Sequence, residues 1–149
     1  MDPAKAADRM KPIKDLAGLE ERSAARVMAE WRRLLAREEK KLSELSAYRD
    51  EYAQRFRTGA AVPGRSLYEH RAFLARLNHA IAEQARRVAE VRREYRVAVA
   101  AWERRRSRTQ ALGKLIEGHE RAARQEEIRR EQRESDEFAL RLAGRGHAA

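Results

Sequence analysis

The chain has 149 residues with 39% charged, a mean hydropathy of −0.88 and a net charge of +10. That composition excludes a membrane-spanning run and argues against a thick layered core, because the apolar residues are spread out and many of them are Ala. Cys is absent, which removes disulfides, thiolate nucleophiles and sulfur-ligated zinc and fits a reducing compartment. No apolar stretch follows Met1, so neither a secretory signal nor a transmembrane helix is expected and the expected location is the cytoplasm.

The abundance of Ala, Arg and Glu is that of long helices joined along narrow seams. Pro3 and Pro12 stand in the first dozen residues, and Pro12 suits a first helical turn, so the spacing predicts a continuous helix from about residue 12 to 58, with an earlier, kinked start as the alternative. Within it Met28, Trp31, Leu35, Leu42, Leu45, Tyr52 and Phe56 recur at alternating steps of three and four, with Glu38 and Arg49 as polar interruptions. The segment Thr58-Gly59-Ala60-Ala61-Val62-Pro63-Gly64-Arg65 breaks that rhythm and reads as a turn over 59–65. Gly59 is placed for a left-handed C′ position, and Ser66-Leu67-Tyr68-Glu69 reads as a capping box that opens the next helix.

The second helix is expected over about 66–142. After His70, its seam runs through Leu74, Leu77, Ile81, Gln84, Val88, Val91, Tyr95, Ala98, Trp102 and onward to Ile116, His119 and Ala123. Two such helices joined by a short turn must run antiparallel, so the expected fold class is all-α: two long helices forming an antiparallel coiled-coil hairpin with unequal arms. The whole chain, 1–149, is read as one such domain, with a disordered tail over 143–149. Reflection about the loop pairs positions whose numbers sum to roughly 124, which leaves the second helix without a partner beyond about residue 112. Gly113 and Gly118 lie there, and local flexibility is expected of them. Charges at the seam positions of Glu126 to Glu134 suggest a solvated lone helix or a segment that orders on a partner.

The positive charge is unevenly placed: 14 basic against 11 acidic residues in 1–64, 12 against 5 in 65–112 and 8 against 8 in 113–149. Arg92, Arg93, Arg96, Arg104, Arg105, Arg106 and Arg108 form the densest basic stretch. Such a field favours an acidic partner, and a basic coiled-coil nucleic-acid binder is the competing class. Interleaved exposed aromatics, which single-strand binding uses for stacking, are missing. No Gly-rich phosphate loop is present, since Gly144-Arg145-Gly146 has no strand before it and no Lys-Ser/Thr after it. His70, His79, His119 and His147 are scattered without metal-ligand spacing. The expectation is a protein that is not an enzyme and has no catalytic residue, no metal and no cofactor. A surplus of apolar groups beside the seam near the turn, Tyr48 four residues before Tyr52 and Phe73 four before Leu77, with Ala80 and Gln84 in the same row, exceeds what a two-stranded coil buries. It reads either as a cover over the end of the core or as a docking patch.

Four stretches, in order along almost the whole chain, carry a resemblance: Leu45-Ser46-Ala47-Tyr48-Arg49-Asp50-Glu51-Tyr52; Tyr68-x4-Phe73-Leu74-x2-Leu77-x2-Ala80-Ile81-x2-Gln84; Leu112-x-Lys114-Leu115; and Glu131-Gln132-Arg133-Glu134-Ser135-Asp136-Glu137-Phe138-Ala139. In these the sequence resembles the FliJ family, the stalk and chaperone-escort proteins of the flagellar export apparatus, with counterparts in type III secretion. The resemblance implies a coiled-coil stalk that binds the hexameric export ATPase, contacts the cytoplasmic domain of the export gate protein and escorts export chaperones, with no small-molecule substrate. It implies a cytoplasmic protein held peripherally at the inner membrane through the apparatus. By similarity, Leu45, Tyr48, Tyr52, Phe73, Leu77, Ala80 and Gln84 form a partner-binding patch, and the helix from Ile13 onward would meet the gate.

Overall fold

The computed structural model describes residues 2–59 and 66–147, so the part of the expected turn that follows Gly59 lies outside the described residues. Two helices account for nearly all of them: α1, Pro3–Arg57, of 55 residues, and α2, Leu67–His147, of 81. The chain is an all-α helical hairpin with arms of unequal length. Neither helix is long and apolar enough anywhere to cross a membrane.

The ends of the helices follow local chemistry. Asp2 precedes Pro3, its Oδ1 accepts a hydrogen bond from Ala4 N at 3.0 Å, and its carbonyl accepts from Ala6 N at 3.0 Å. Asp2 is therefore the N-cap and Pro3 the first helical residue, where a missing N–H costs nothing. The helix thus starts at Pro3, not near residue 12. Pro12 lies inside it on an exposed face, its ring tolerated within an otherwise continuous helix. At the other end Arg55 and Arg57 sit in the last turn, where they complement the helix dipole, and Gly59 takes φ 74° as its place after the helix demands. Ser66 Oγ accepts from Glu69 N at 3.2 Å and Ser66 O from His70 N at 3.1 Å, so Ser66 caps α2.

The chain divides into two compact units. The turn unit is Ser23–Glu103, and it holds the turn-proximal parts of both helices. Its buried apolar residues are Val88, Val91 and Ala98, flanked by half-buried Trp31, Leu35, Leu42 and Tyr95. Two polar residues are buried among them, Glu38 at 6% exposure and His70 at 3%. The antiparallel pairing is direct: Gln84 meets Glu38 and His70 meets Tyr52.

The terminal unit combines Met1–Arg22 with Arg104–Ala149. Ala6, Ala7, Ala17 and Ile116 are its buried apolar residues, a seam of small side chains that lets two helices approach closely. Arg105 Nη1 meets Glu20 Oε2 at 2.6 Å and Lys11 Nζ meets Glu120 Oε1 at 3.7 Å, so the two segments of this unit run antiparallel. Because α1 begins nine residues before Pro12, pairing does not stop near residue 112. It continues to Ala123, which lines one groove with Asp2, Ala4, Glu126 and Arg130. Gly113 and Gly118 lie within continuous helix, and the Lys14 stem runs beside Gly113, with Cε 3.6 Å from where a β-carbon would stand. Only from Arg124 to Gly146 is α2 exposed at every residue. The expected tail from 143 is helical through His147.

Candidate interaction surface

Heptad arithmetic sets which side chains reach the surface near the turn. In α1 the seam positions Glu38, Leu42, Leu45, Arg49, Tyr52 and Phe56 leave Lys41 and Tyr48, seven residues apart, on one flank. In α2 the seam positions His70, Leu74, Leu77, Ile81 and Gln84 leave Phe73 and Ala80 on the corresponding flank. In an antiparallel pair these two flanks lie on the same side, and the ring centroids of Tyr48 and Phe73 are 6.4 Å apart with planes at 82°, an edge-to-face contact.

The interior beneath them is polar. Gln84 Nε2 donates to the Glu38 carbonyl at 3.0 Å and to Glu38 Oε2 at 2.6 Å, and Lys41 Nζ reaches Glu38 Oε1 at 3.3 Å. The Gln84 amide, followed by the Lys41 ammonium, holds the Glu38 carboxyl below the usual glutamate range against the opposing effect of desolvation. Nearer the turn the Tyr52 hydroxyl and His70 Nδ1 are hydrogen-bonded at 2.5 Å. His70 packs against Phe56 at 5.1 Å and Tyr52 at 5.8 Å between ring centroids. Its Nε2 is buried with no hydrogen-bond partner among the described residues. Tyr52 also meets Phe73, centroid to centroid 4.7 Å.

The seven residues Leu45, Tyr48, Tyr52, Phe73, Leu77, Ala80 and Gln84 all fall within the turn unit, but they do different things there. Tyr48 (51% exposed) and Ala80 face solvent, while Leu45, Phe73 and Leu77 are half-buried and support them. Tyr52 and Gln84 are turned inward, occupied by His70 and Glu38. Lys41, Glu44, Leu45, Tyr48 and Gln84 line a shallow depression of about 380 Å³. The part played by Glu38 was missed from sequence; its signal was that a carboxylate on a seam needs an inward-facing donor, and Gln84 is the seam amide at reflected position.

The arginine-rich stretch is partly consumed by intramolecular pairs. Arg92 meets Glu39 at 3.0 Å in the turn unit, and in the terminal unit Glu20 receives both Arg105 at 2.6 Å and Arg108 at 3.9 Å. Exposed ion pairs of this kind contribute about 0–1 kcal/mol each, so they orient side chains more than they hold the helices together. Among the described residues no three His, Asp or Glu side chains gather where a metal ion would sit.

Two paired helices with Glu38, His70 and Gln84 set into an otherwise apolar seam, and with Tyr48 on its flank, make this an all-α coiled-coil protein. The family model for the flagellar FliJ protein matches residues 6–148. The chain is 30% identical over 135 residues to the flagellar FliJ protein of Escherichia coli (strain K12), covering 89% of this chain and 92% of that protein. It is also 30% identical over 138 residues to the flagellar FliJ protein of Salmonella typhi, covering 91% and 94%. The chain belongs to the FliJ family and is a flagellar export component.

Proposed function

We propose that this chain is the coiled-coil stalk of the export apparatus: it engages the hexameric export ATPase, contacts the cytoplasmic domain of the gate protein and escorts export chaperones, peripheral at the cytoplasmic face of the inner membrane. The observation that carries the docking part of this reading is Tyr48, an aromatic held half in solvent by Phe73 beside a seam that is itself polar. A side chain of that kind contributes little to its own fold when exposed and much to an interface when covered. Leu45, Tyr48, Phe73, Leu77 and Ala80 then supply the contact surface, while Tyr52 and Gln84 hold the two helices in register beneath it. The chain's part is mechanical, and nucleotide hydrolysis belongs to the ATPase.

The experiment is capture from a lysate of the source cell, with the ATPase, gate domain and chaperones each assayed by immunodetection. Tyr48→Ala and the double variant Tyr48→Ala/Phe73→Ala are expected to keep helicity by circular dichroism and to lose chaperone or gate capture by about tenfold or more, equivalent to a single central anchor. Unchanged capture by Tyr48→Ala, the variant that leaves the Phe73 contacts to Tyr52 in place, refutes the docking surface. Failure of the intact chain to bind or stimulate the ATPase refutes the stalk.

A further inference from the structure

The two sides of the terminal unit differ in charge and in what they expose. Glu20 on α1 meets Arg108 on α2 across one flank at 3.9 Å. Seven residues before Glu20 stands Ile13 and seven after Arg108 stands Leu115, so this flank continues through them. Beside it, on the outward side of α1, Lys5, Arg9, Pro12, Leu16 and Leu19 follow at steps of four and three, a second row distinct from the seam of Ala7, Met10 and Ala17. Ile13, Leu16, Leu19 and Leu115 are each between 47% and 57% exposed. α1 therefore presents apolar side chains to solvent although its seam is already closed by α2.

The ionic groups are sorted in the same way. Lys5 and Arg9 lead into the apolar row, and Arg104, Lys114 and Arg121 stand on the corresponding outward rows of α2. None of these five has a carboxylate within ion-pair distance among the described residues. The one carboxylate on these rows, Glu20, is held by Arg105 at 2.6 Å and by Arg108. Asp8, Asp15, Glu117 and Glu120 fall on rows turned towards the opposite flank, where Lys11 meets Asp8 at 3.3 Å and Glu120 at 3.7 Å.

We propose that this side of the terminal unit binds the surface of an anionic bilayer: Ile13, Leu16, Leu19 and Leu115 enter the boundary between headgroups and acyl chains, while Lys5, Arg9, Lys114 and Arg121 meet lipid phosphates. The stalk reading holds the chain at the membrane only through the apparatus; here the chain itself touches lipid, by residues that the Tyr48 surface does not include. α1 lies on the membrane and does not cross it, since no helix is long and apolar enough to span. A protein partner is disfavoured by shape and by spacing. The row of Pro12, Leu16 and Leu19 stands on the outward side of α1, not between the ridges of two helices where a third would seat. Five cations spread over two helices ask a folded partner for carboxylates at matching places, whereas lipids diffuse and gather their phosphates wherever the cations stand. A second copy of this chain is disfavoured because face against face would oppose the same cations.

The test uses the full chain and vesicles of phosphatidylcholine, alone or with about one third phosphatidylglycerol, read by co-flotation. Binding is expected to be about tenfold or more tighter on the anionic vesicles and to weaken as salt rises. Lys114→Glu/Arg121→Glu is expected to weaken it about tenfold or more. Arg22→Glu/Arg124→Glu, the same change in charge on rows turned towards the opposite flank, is expected to leave it within about twofold at physiological salt. Leu16→Asp, at an exposed position and with helicity verified, is expected to lose about tenfold. Leu16→Trp is expected to be quenched by lipids brominated in their acyl chains, above the signal of Trp31 and Trp102. Equal binding to both kinds of vesicle, equal loss in the two charge-reversal variants, or Leu16→Trp emission that brominated chains do not quench overturns the proposal. Absence of vesicle binding overturns it too, and if Lys114→Glu/Arg121→Glu then loses capture of the ATPase, the face belongs to an acidic protein. A dimer in sedimentation that Leu16→Asp abolishes overturns it in favour of a second copy. Capture through Tyr48 is measured on other residues, so either reading can fall without the other.

Discussion

The turn unit and the terminal unit each hold two antiparallel helices together along an apolar seam, and they differ in what interrupts it. In the turn unit the apolar seam built on Val88, Val91 and Ala98 is interrupted by Glu38, Arg49, His70 and Gln84, and Tyr48 stands on its flank. In the terminal unit the seam is Ala6, Ala7, Ala17 and Ile116, and the polar groups, Lys11, Glu20, Arg105 and Glu120, lie at its margins. A small-residue seam permits close approach but specifies register weakly, since one Ala resembles another. A polar seam specifies register strongly, because Gln84 satisfies Glu38 in only one alignment. The register of the hairpin is therefore written mainly beside the turn, in the unit that also carries the Tyr48 surface.

That contrast is broken most forcefully by placing a charge in the best-buried position of the turn unit. Val91 is 1% exposed, the most completely buried large side chain among the described residues. Val91→Asp puts a carboxylate where water cannot reach it and is expected to cost about 3 kcal/mol or more, read as a shift in the urea midpoint followed by circular dichroism. A midpoint within error of the parent would mean that the seam beside Val91 opens easily, and that the Val88, Val91 and Ala98 core is not what holds the turn unit.

The terminal unit is tested at its cap. Asp2 closes the first turn of α1 through Ala4 N, and Pro3, Ala6 and Ala7 are buried directly behind it. Asp2→Ala is expected to cost about 1 kcal/mol, the usual worth of an N-cap, and to raise amide exchange over residues 3–10 while leaving the turn unit's amides unchanged. If exchange in the turn unit rises equally, the two units do not open independently and the comparison loses its basis.

Much of this was legible in the sequence. The steps of three and four in both helices, Gly59 and the Ser66-to-Glu69 signal define the hairpin from rules that act over a few residues, and the structure has them, the capping box in its Ser66 half. The start of α1 was not, because Pro3 and Pro12 both suit a first turn. The choice depends on Asp2 being able to cap and on Ala6 and Ala7 being buried against α2, a long-range fact that periodicity does not carry. The length of the bare helix followed from that error, so the exposed stretch begins at Arg124, not near residue 112. At the candidate surface, the resemblance named seven residues, and all of them fall in one unit. Spacing set Tyr48 beside the seam and Tyr52 on it, the resemblance grouped both in one patch, and in the structure Tyr48 faces out while Tyr52 is turned to His70, because four residues carry a helix one turn and about 40° further round.

The smallest expected effect concerns the polar seam itself. The hydrogen bond from the Gln84 amide, then the Lys41 ammonium and more distantly Arg87, favour ionised Glu38 and hold its folded-state carboxyl below the usual value of 4.5. A carboxylate whose folded value is depressed contributes stability that is fully present above the unfolded value and is lost as pH falls through the folded one. Stability from Glu38 should therefore be intact at neutral pH and decline on acidification below about 4.5. Glu38→Gln keeps the size and some of the hydrogen bonding but removes the charge, so the difference in urea midpoint between parent and variant should narrow as pH drops from neutral into that range. Gln84→Ala, which removes the leading donor, should narrow the same difference from the other side of the seam. A gap between parent and Glu38→Gln that stays constant with pH would show that Glu38 sets register by shape and hydrogen bonding alone, and the contrast between a charged seam near the turn and an Ala seam near the termini would reduce to one between large and small side chains.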